Sequence, residues 1–201
     1  MIWLANGLPT PRYRILTGGD DWNAVAKELG LPLIVKPANE GSTLGLTKVT
    51  SVEKLEQAYE LAAKEYRDIA LAEQFIDGPE YTASVLGEEV LPLIRIEAPK
   101  GNYDYQNKYF SDDTKYHCPS GLPAKKEAEL KALALSAFRA VGCSGWGRVD
   151  IMLDRRKNPW QPEVNTSPGM SGHRLVPMAA RAVGISYEDL CVKILELAHV
   201  G

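Results

Sequence analysis

The stretches Gly147-Arg148-Val149-Asp150-Ile151-Met152 and Gln161-Pro162-Glu163-Val164-Asn165 carry the strongest structural signal in the sequence. Between them, Arg155-Arg156-Lys157-Asn158 has the composition of a turn. Because alternate residues of a strand share one face, this pattern predicts a hairpin whose strands run over about 146–153 and 159–164.

Four polar side chains converge on one face of the predicted hairpin. With the hairpin centred in the turn, Asp150 lies opposite Glu163, and Arg148 lies opposite Asn165. Two carboxylates in direct cross-strand opposition repel each other, and a cation between them removes that repulsion. The donors are all oxygen, which favours Mg²⁺ or Mn²⁺ over zinc. The alternative is a solvated hairpin face with an ordinary arginine–carboxylate pair.

A second candidate feature is Lys36, at the end of the apolar run 31–37, followed by the turn Gly41-Ser42-Thr43-Leu44-Gly45. Small residues let backbone N–H groups approach phosphate oxygens closely, and the lysine supplies positive charge. The alternative is a plain hairpin turn with an exposed lysine.

Two further segments could contact a nucleotide. The apolar strand that ends in Glu73-Gln74-Phe75-Ile76 places a carboxylate where it could bond a ribose or an adenine edge, although an ordinary strand end is the alternative. Segment 101–122 is polar and aromatic without periodicity, and a loop of that length is usually functional or mobile. It contains Lys108 between Tyr105 and Tyr109, and we expect this loop to close over a bound nucleotide. A solvated loop lysine is the alternative.

The secondary-structure signals favour an α+β fold. Asp20 or Asp21 caps a helix that ends at Gly30, Thr50 opens a capping box, and a longer helix runs from about 124 to 141. These helices are mixed with hairpins rather than with regularly alternating strands. That order predicts helices packed on antiparallel sheets.

The composition excludes several classes of protein. The 201 residues include 23 Lys plus Arg and 26 Asp plus Glu, a net charge of −3, which argues against nucleic-acid binding driven by bulk charge. At 45% apolar residues the chain can bury a core, and no apolar run is long enough for a membrane span. The N-terminal residues lack a secretory signal pattern. Three separated cysteines indicate neither a disulfide framework nor a zinc site and favour a reducing cytoplasm.

The motifs taken in chain order resemble those of bacterial D-alanine–D-alanine ligases, which are ATP-grasp enzymes of cell-wall synthesis. The most specific part is Glu163-Val164-Asn165-Thr166-Ser167-Pro168-Gly169-Met170 with Gly147-Arg148-Val149-Asp150 upstream. The resemblance covers essentially the whole chain. The other matching segments are Val35-Lys36-Pro37, Gly41–Gly45, Glu73–Ile76, Gly78-Pro79-Glu80-Tyr81-Thr82 and Lys108-Tyr109.

The resemblance implies an α+β ATP-grasp fold of two subdomains, with ATP between antiparallel sheets. Residues 20–78 would form the central subdomain and 79–201 the C-terminal one, while 1–19 would be a linker from an absent N-terminal domain. It also implies a cytoplasmic enzyme of peptidoglycan synthesis that acts on D-alanine. The same resemblance implies that full-length members of the family are homodimers.

The resemblance also assigns roles in nucleotide binding. The phosphates of ATP would be bound by two lysines and the adenine by a carboxylate, two backbone groups and an apolar wall, with a further carboxylate on the ribose. In this sequence the residues are Lys36 and Lys108 for the phosphates, Glu73, Gln74, Ile76 and Phe75 for the adenine, and Glu80 for the ribose.

The chemistry implied is formation of an acylphosphate on the first D-alanine, followed by attack of the amine of the second. Two Mg²⁺ (or Mn²⁺) ions would be held by Asp150, Glu163 and Asn165, with Glu163 bridging them. Arg148 and the backbone at Gly169 would stabilise the tetrahedral oxyanion. Ser42 and Tyr109 would orient the first D-alanine and close the loop.

Two departures from the family pattern leave the function open. The family's preceding domain, with a glutamate for the first D-alanine's ammonium, is expected to be missing before Met1. Arg174 stands where the family commonly has a serine that binds the second D-alanine's carboxylate, a group that arginine can also bind. The alternatives are a truncated nucleotide-binding fragment without ligase activity and a related ligase with a different second substrate.

Overall fold

The computed structural model describes residues 1–39, 44–65, 69–97 and 114–198, with the side chain of the residue at 65 left out. The described residues form two compact units. The small unit comprises 11–39, 44–65 and 69–76, and the large unit comprises 1–10, 77–97 and 114–198. In chain order the elements are α1 (Ile2–Ala5), β1 (Tyr13–Ile15), α2 (Trp22–Leu29), β2 (Leu33–Pro37), β3 (Thr47–Val49), α3 (Leu55–Glu60), β4 (Ala70–Gln74), β5 (Glu80–Leu86), β6 (Glu89–Val90), β7 (Ile94–Glu97), β8 (Lys115–His117), α4 (Ala124–Ala140), β9 (Trp146–Leu153), β10 (Pro159–Trp160), β11 (Val164–Asn165), α5 (Leu175–Arg181) and α6 (Tyr187–Glu196).

The small unit is a four-stranded antiparallel sheet in the order β1-β4-β2-β3 with α2 and α3 on one face. Alternation along β2 puts Leu33 and Val35 in the core, while Ile34 and Lys36 point to the other face. The opposing strand β4 contributes Ala70 and Ala72 to the same core. The face away from the helices therefore carries the charged Lys36 beside the apolar Ile34.

Two helix ends of the small unit follow from local sequence. The Asp21 carboxylate accepts hydrogen bonds from the backbone N–H of Asn23 and Ala24 at the start of α2. Gly30, with a φ of 82°, ends that helix. The cap predicted at Thr50 is one residue early, because Ser51 is the N-cap of a 3₁₀ turn over Val52–Lys54 that leads into α3.

The large unit is a seven-stranded antiparallel sheet whose main order is β10-β9-β5-β7-β8. Helix α4 covers one face, where Leu130, Ala134 and Phe138 pack on the buried side of β5 and β9. Helix α5 contacts β5 and α6. Residues that alternate with this core, among them Thr82 and Asp150, project to the face of the sheet opposite α4.

The N-terminal residues, predicted to be a linker over 1–19, take part in both units. The Trp3 Nε1–H donates to the carbonyl oxygen of Ala137 over 2.8 Å, and the backbone N–H of Gln161 donates to the carbonyl of Pro9 over 3.0 Å. Residues Tyr13–Ile15 form the edge strand β1, which pairs with β4.

The predicted long loop contains an additional strand. Residues Lys115–His117 form β8 and pair with β7. Segment 98–113 lies outside the described residues, so the expected closure of this loop remains a prediction.

The predicted hairpin is present, with one irregularity. β10 and β11 both pair with β9 in antiparallel register, Trp160 opposite Met152 and Val164 opposite Val149. Residues 161, 162 and 163 lie between Trp160 and Val164, whereas only residues 150 and 151 lie between Val149 and Met152. Segment 161–163 therefore carries one extra residue, as in a β-bulge.

Candidate active site

The hairpin brings the four polar residues together on one face, as the sequence predicts. Asn165 lies opposite Arg148 in the β9–β11 ladder, and the backbone N–H of Asp150 donates to the carbonyl of Glu163 over 3.1 Å. Val149 is buried in the core beneath this face. Because of the extra residue in 161–163, the side chain of Val164 faces the core, and the side chains of Glu163 and Asn165 face the polar side of the sheet.

Asp150 is the centre of the hydrogen-bond network. Its Oδ1 accepts from Arg148 Nε over 2.9 Å and from Thr82 Oγ1 over 2.7 Å. Its Oδ2 accepts from Arg148 Nη2 over 3.0 Å and from Asn165 Nδ2 over 3.3 Å. The bidentate arginine stabilises the charged form of a carboxylate whose side chain is only 6% exposed.

The amide of Asn165 bridges the two carboxylates of the site. Its Nδ2 donates to Glu163 Oε1 over 3.1 Å as well as to Asp150 Oδ2. An amide group with partial positive charge thus lies between the carboxylates, where the repulsion argument placed a cation. The arginine–carboxylate pair of the alternative interpretation is also present, but it is half-buried rather than solvated.

The donor set fits a hard divalent cation. Two carboxylates and one amide oxygen are the ligands preferred by Mg²⁺, which usually completes its shell with water and substrate phosphates. Among the described residues no group of three or more His, Cys, Asp and Glu side chains could hold a metal. A cation at this hairpin would therefore take part of its coordination shell from a ligand.

The segment after β11 brings Gly169 and Arg174 together. A Cβ atom built on Gly169 would lie 3.4 Å from Arg174 Cγ and Nε. Arg174 is the N-cap of α5, and its backbone N–H donates to the carbonyl of Ser171 over 2.8 Å. The predicted oxyanion group and the unusual arginine are thus neighbours.

Gly147 sets the distance between α4 and the hairpin. A Cβ atom at this position would lie 2.6 Å from Phe138 Cε2 and 2.9 Å from the carbonyl oxygen of Asn165. Only a residue without a side chain lets the helix and β11 approach β9 so closely. This glycine therefore positions Asn165.

The small unit carries a second group of predicted site residues on the sheet face away from its helices. Lys36 Nζ lies 2.8 Å from Glu73 Oε2, with the two side chains 22% and 15% exposed. The register explains this diagonal contact, because Ile34 lies opposite Glu73 and Lys36 lies opposite Leu71. The predicted phosphate ligand and the predicted adenine ligand are thus ion-paired to each other.

The residues that follow Glu73 differ in their surroundings. The Gln74 backbone N–H donates to the carbonyl of Arg12 over 2.8 Å, and its side-chain Oε1 accepts from Arg12 Nε. Ile76 is buried. The Phe75 ring lies 3.6 Å from Lys48 Nζ, measured to the ring centroid, which is a cation–π contact.

Of the remaining residues predicted for the site, Glu80 lies in the described part of the chain. Glu80 is the first residue of β5, opposite Met152 and Ile96, and shares its face with Thr82. Ser42, Lys108 and Tyr109 lie outside the described residues.

Sequence reasoning missed Thr82 and Lys48. Thr82 contacts Asp150 because β5 pairs with β9, a contact between residues far apart in sequence. The polar Thr82 between two buried apolar neighbours, Tyr81 and Ala83, is the one local signal. Lys48 reaches Phe75 across the small-unit sheet, and nothing local to either residue indicates that contact.

No helix of the described residues is long and apolar enough to cross a membrane. The three cysteines, Cys118, Cys143 and Cys191, are free thiols.

Several known proteins are similar to this chain. A D-alanine–D-alanine ligase of Aromatoleum aromaticum is 58% identical over 201 residues, which are 100% of this chain and 65% of the relative. The corresponding ligase of Ralstonia nicotianae is 58% identical over 204 residues, covering 99% of this chain and 61% of the relative. The chain thus spans less than two thirds of the length of these relatives.

Solved structures show the same similarity. A D-alanine–D-alanine ligase from Bacillus anthracis has a TM-score of 0.84 and 33% identity, covering 98% of this chain and 64% of that one. The VanG D-Ala:D-Ser ligase from Enterococcus faecalis also has a TM-score of 0.84, with 30% identity, covering 98% and 59% of the two chains. These matches and the antiparallel sheets confirm the predicted α+β ATP-grasp fold. A family model described as the D-ala D-ala ligase C-terminus matches residues 2–196, and the chain therefore belongs to that family.

Proposed function

We propose that this chain is the ATP-grasp part of a cytoplasmic ligase that joins two D-alanines at the expense of ATP, for peptidoglycan precursor synthesis. The observation that carries the proposal is the network of Arg148, Asp150, Glu163 and Asn165 on one hairpin face. Family membership supplies the reaction class.

Asp150, Glu163 and Asn165 would hold two Mg²⁺ or Mn²⁺ ions. Such ions, when bound, neutralise negative charge on a transferring phosphoryl group. The protein's own contribution is a set of hard oxygen donors on a rigid hairpin. The Asn165 amide contacts both carboxylates, so the three ligands already lie within reach of one another.

The nucleotide would be bound by the residues predicted for it from the sequence. In the small unit, Lys36 would leave its ion pair with Glu73 for the phosphates, and the carboxylate of Glu73 would accept a hydrogen bond from adenine. The Gln74 backbone N–H already bonds Arg12, so its carbonyl is the group available to adenine. We further propose contacts from the backbone of Ile76, the ring of Phe75, the carboxylate of Glu80 to the ribose, and Lys108 to the phosphates.

The proposed reaction has two steps. A carboxylate oxygen of the first D-alanine attacks the γ-phosphorus of ATP, which forms an acylphosphate and releases ADP. The amine of the second D-alanine then attacks the acyl carbon, and the tetrahedral intermediate loses inorganic phosphate and a proton. Arg148 and the backbone N–H at Gly169 would donate to the oxyanion of that intermediate. Ser42 and Tyr109 would orient the first D-alanine.

A related ligase with a different second substrate is the second candidate. It is favoured by the position of Arg174 beside Gly169, since a guanidinium changes the pocket that would receive the second substrate. The VanG protein on the same fold is a D-Ala:D-Ser ligase. Competition among D-alanine, D-serine and D-lactate, with products identified by mass spectrometry, separates the two candidates.

The test of the main proposal uses two proteins: this chain alone, and this chain fused behind the N-terminal part of the Aromatoleum aromaticum relative that it does not cover. We expect both to bind ATP with Mg²⁺, and the fusion to form D-alanyl-D-alanine with one ADP per dipeptide. The chain alone is expected to be a poor ligase, because losing one substrate anchor forfeits part of the roughly 7–11 kcal/mol that positioning can supply.

Two outcomes decide the matter. A fusion that binds ATP but forms no peptide from any D-amino acid refutes ligase function and favours a nucleotide-binding fragment. A chain that alone joins D-alanines at the rate of the fusion refutes the argument for an anchor outside it.

A further inference from the structure

Thr82 is the most firmly held of the groups around Asp150. It lies directly opposite Asp150 in the β5–β9 ladder, is fully buried, and donates its hydroxyl to Asp150 Oδ1 over 2.7 Å. Its neighbours Tyr81 and Ala83 are packed in the core under α4. The backbone that carries the hydroxyl therefore cannot shift without disturbing that core.

The carboxylate of Asp150 is saturated by its donors. Thr82 Oγ1 and Arg148 Nε reach Oδ1, while Arg148 Nη2 and Asn165 Nδ2 reach Oδ2. An ionised carboxylate offers about four lone-pair sites. A cation can therefore ligate Asp150 only if at least one of these donors leaves.

Arg148 is the charged donor among these groups, and a bound cation disfavours its contact with Asp150 the most. Its side chain is long and 17% exposed, against 6% for Asp150, whereas Thr82 is short and enclosed. A guanidinium and a divalent cation on the same carboxylate would also repel each other strongly in a half-buried site. The neutral hydroxyl of Thr82 meets no such repulsion and can keep its bond to Oδ1.

We propose that Thr82 is a positioning residue that holds the Asp150 carboxylate in one orientation while a divalent cation replaces Arg148 on it. This inference rests on the proposed function, because it takes Asp150 as a metal ligand. The exchange couples two events: Arg148 leaves Asp150 as the cation binds to it. The freed guanidinium is then available to the oxyanion, so the same event prepares both the phosphoryl transfer and the step that follows.

The test measures binding rather than activity. The Kd of a non-hydrolysable ATP analogue, AMPPNP, is determined by calorimetry with Mn²⁺ and with EDTA, and the ratio of the two values reports the contribution of the metal. The variants are Thr82→Val, which keeps the shape and removes the hydroxyl, and Thr82→Ser, which keeps the hydroxyl. Ser84→Ala is the matched control: Ser84 is buried on the same strand and face, and its Oγ has no hydrogen-bond partner among the described residues.

We expect Thr82→Val to lower the ratio about tenfold or more, since removing a group that orients a metal ligand typically costs about 10- to 100-fold in metal affinity. Thr82→Ser and Ser84→Ala should keep the wild-type ratio. An unchanged ratio in Thr82→Val, or an equal loss in Ser84→Ala, overturns the inference and leaves the metal assignment intact. A wild-type ratio of one overturns both.

A second measurement uses the wild-type chain and so does not depend on whether a Thr82 variant folds. In the ¹⁵N-labelled wild-type chain, the Arg148 Nε–H resonance, assigned with Arg148→Lys, should move when Mg²⁺ is added to the AMPPNP complex prepared in EDTA. A resonance that stays in place shows that Arg148 keeps its bond to Asp150 and refutes the exchange.

Discussion

Replacing Gly147 by alanine should destabilise the large unit, because there is no room for the added methyl group. The new Cβ would lie 2.6 Å from Phe138 Cε2 and 2.9 Å from the carbonyl oxygen of Asn165. Contacts shorter than 3.0 Å require a neighbour to move, and here one neighbour is a core ring that is 2% exposed and the other is backbone.

The expected loss follows from these contacts. Overpacking a core typically costs about 1–3 kcal/mol, and alanine recovers about 0.4–1 kcal/mol by restricting the unfolded chain. The free energy of unfolding should thus fall by about 1–2 kcal/mol. For a chain of this size, each kcal/mol lowers Tm by about 2–4 °C.

Urea unfolding followed by tryptophan fluorescence measures the effect, since Trp146 and Trp160 lie in the large-unit sheet. Gly19→Ala is the matched control, because a Cβ there meets nothing within 4 Å. A double-mutant cycle with Phe138→Leu should show a favourable coupling between positions 138 and 147. If Gly147→Ala is as stable as wild type, or the cycle shows no coupling, this account of the packing is wrong.

Two further predictions concern charge. Glu163→Gln should lower the metal-dependent part of AMPPNP binding, measured as the ratio of Kd values defined above, by at least about tenfold. The control is Glu129→Gln, which changes an exposed carboxylate on α4 and should leave the ratio unchanged. Equal effects of the two substitutions would show that Glu163 is not a metal ligand. The second prediction concerns the dependence of stability on acid pH. The backbone N–H of Thr17 holds the pKa of Asp20 below its usual value, and Arg14 adds to the effect. The Asp20 carboxylate therefore stabilises the small unit above pH about 3.9, and this stabilisation is lost as the pH falls through the lower pKa of the folded state. Acid unfolding followed at Trp22 should therefore be less steep in Asp20→Asn, and an identical pH profile would contradict the assignment.

Local sequence predicted the parts of the fold whose causes are local. The Asp21 cap and the Gly30 stop are present, because each depends on residues within one helical turn. The pairing of Arg148 with Asn165 is also confirmed. It does not follow from the turn alone, because the turn sets Trp160 opposite Met152 and the extra residue in 161–163 then shifts the register by one.

Contacts between distant segments could not be predicted in this way. Periodicity places Thr82 in a strand, but it does not say that this strand lies beside β9, and so the donor closest to Asp150 was missed. The direct ion pair of Lys36 with Glu73 was missed for the same reason. Their shared face appears only once β2 and β4 are paired in their actual register.

The irregularity in the hairpin has a consequence for which changes in chain length the protein can tolerate. The turn at 155–158 is exposed, and inserted residues there need disturb no buried backbone. Segment 161–163 is different, because Gln161 is fully buried, with its backbone N–H on the Pro9 carbonyl and its Nε2 on the Leu133 carbonyl. A single deletion between Trp160 and Val164 would remove the extra residue and with it the bulge in which Gln161 makes these buried contacts. Variation in length within this hairpin should therefore be confined to the turn, while the spacing between Trp160 and Val164 stays constant.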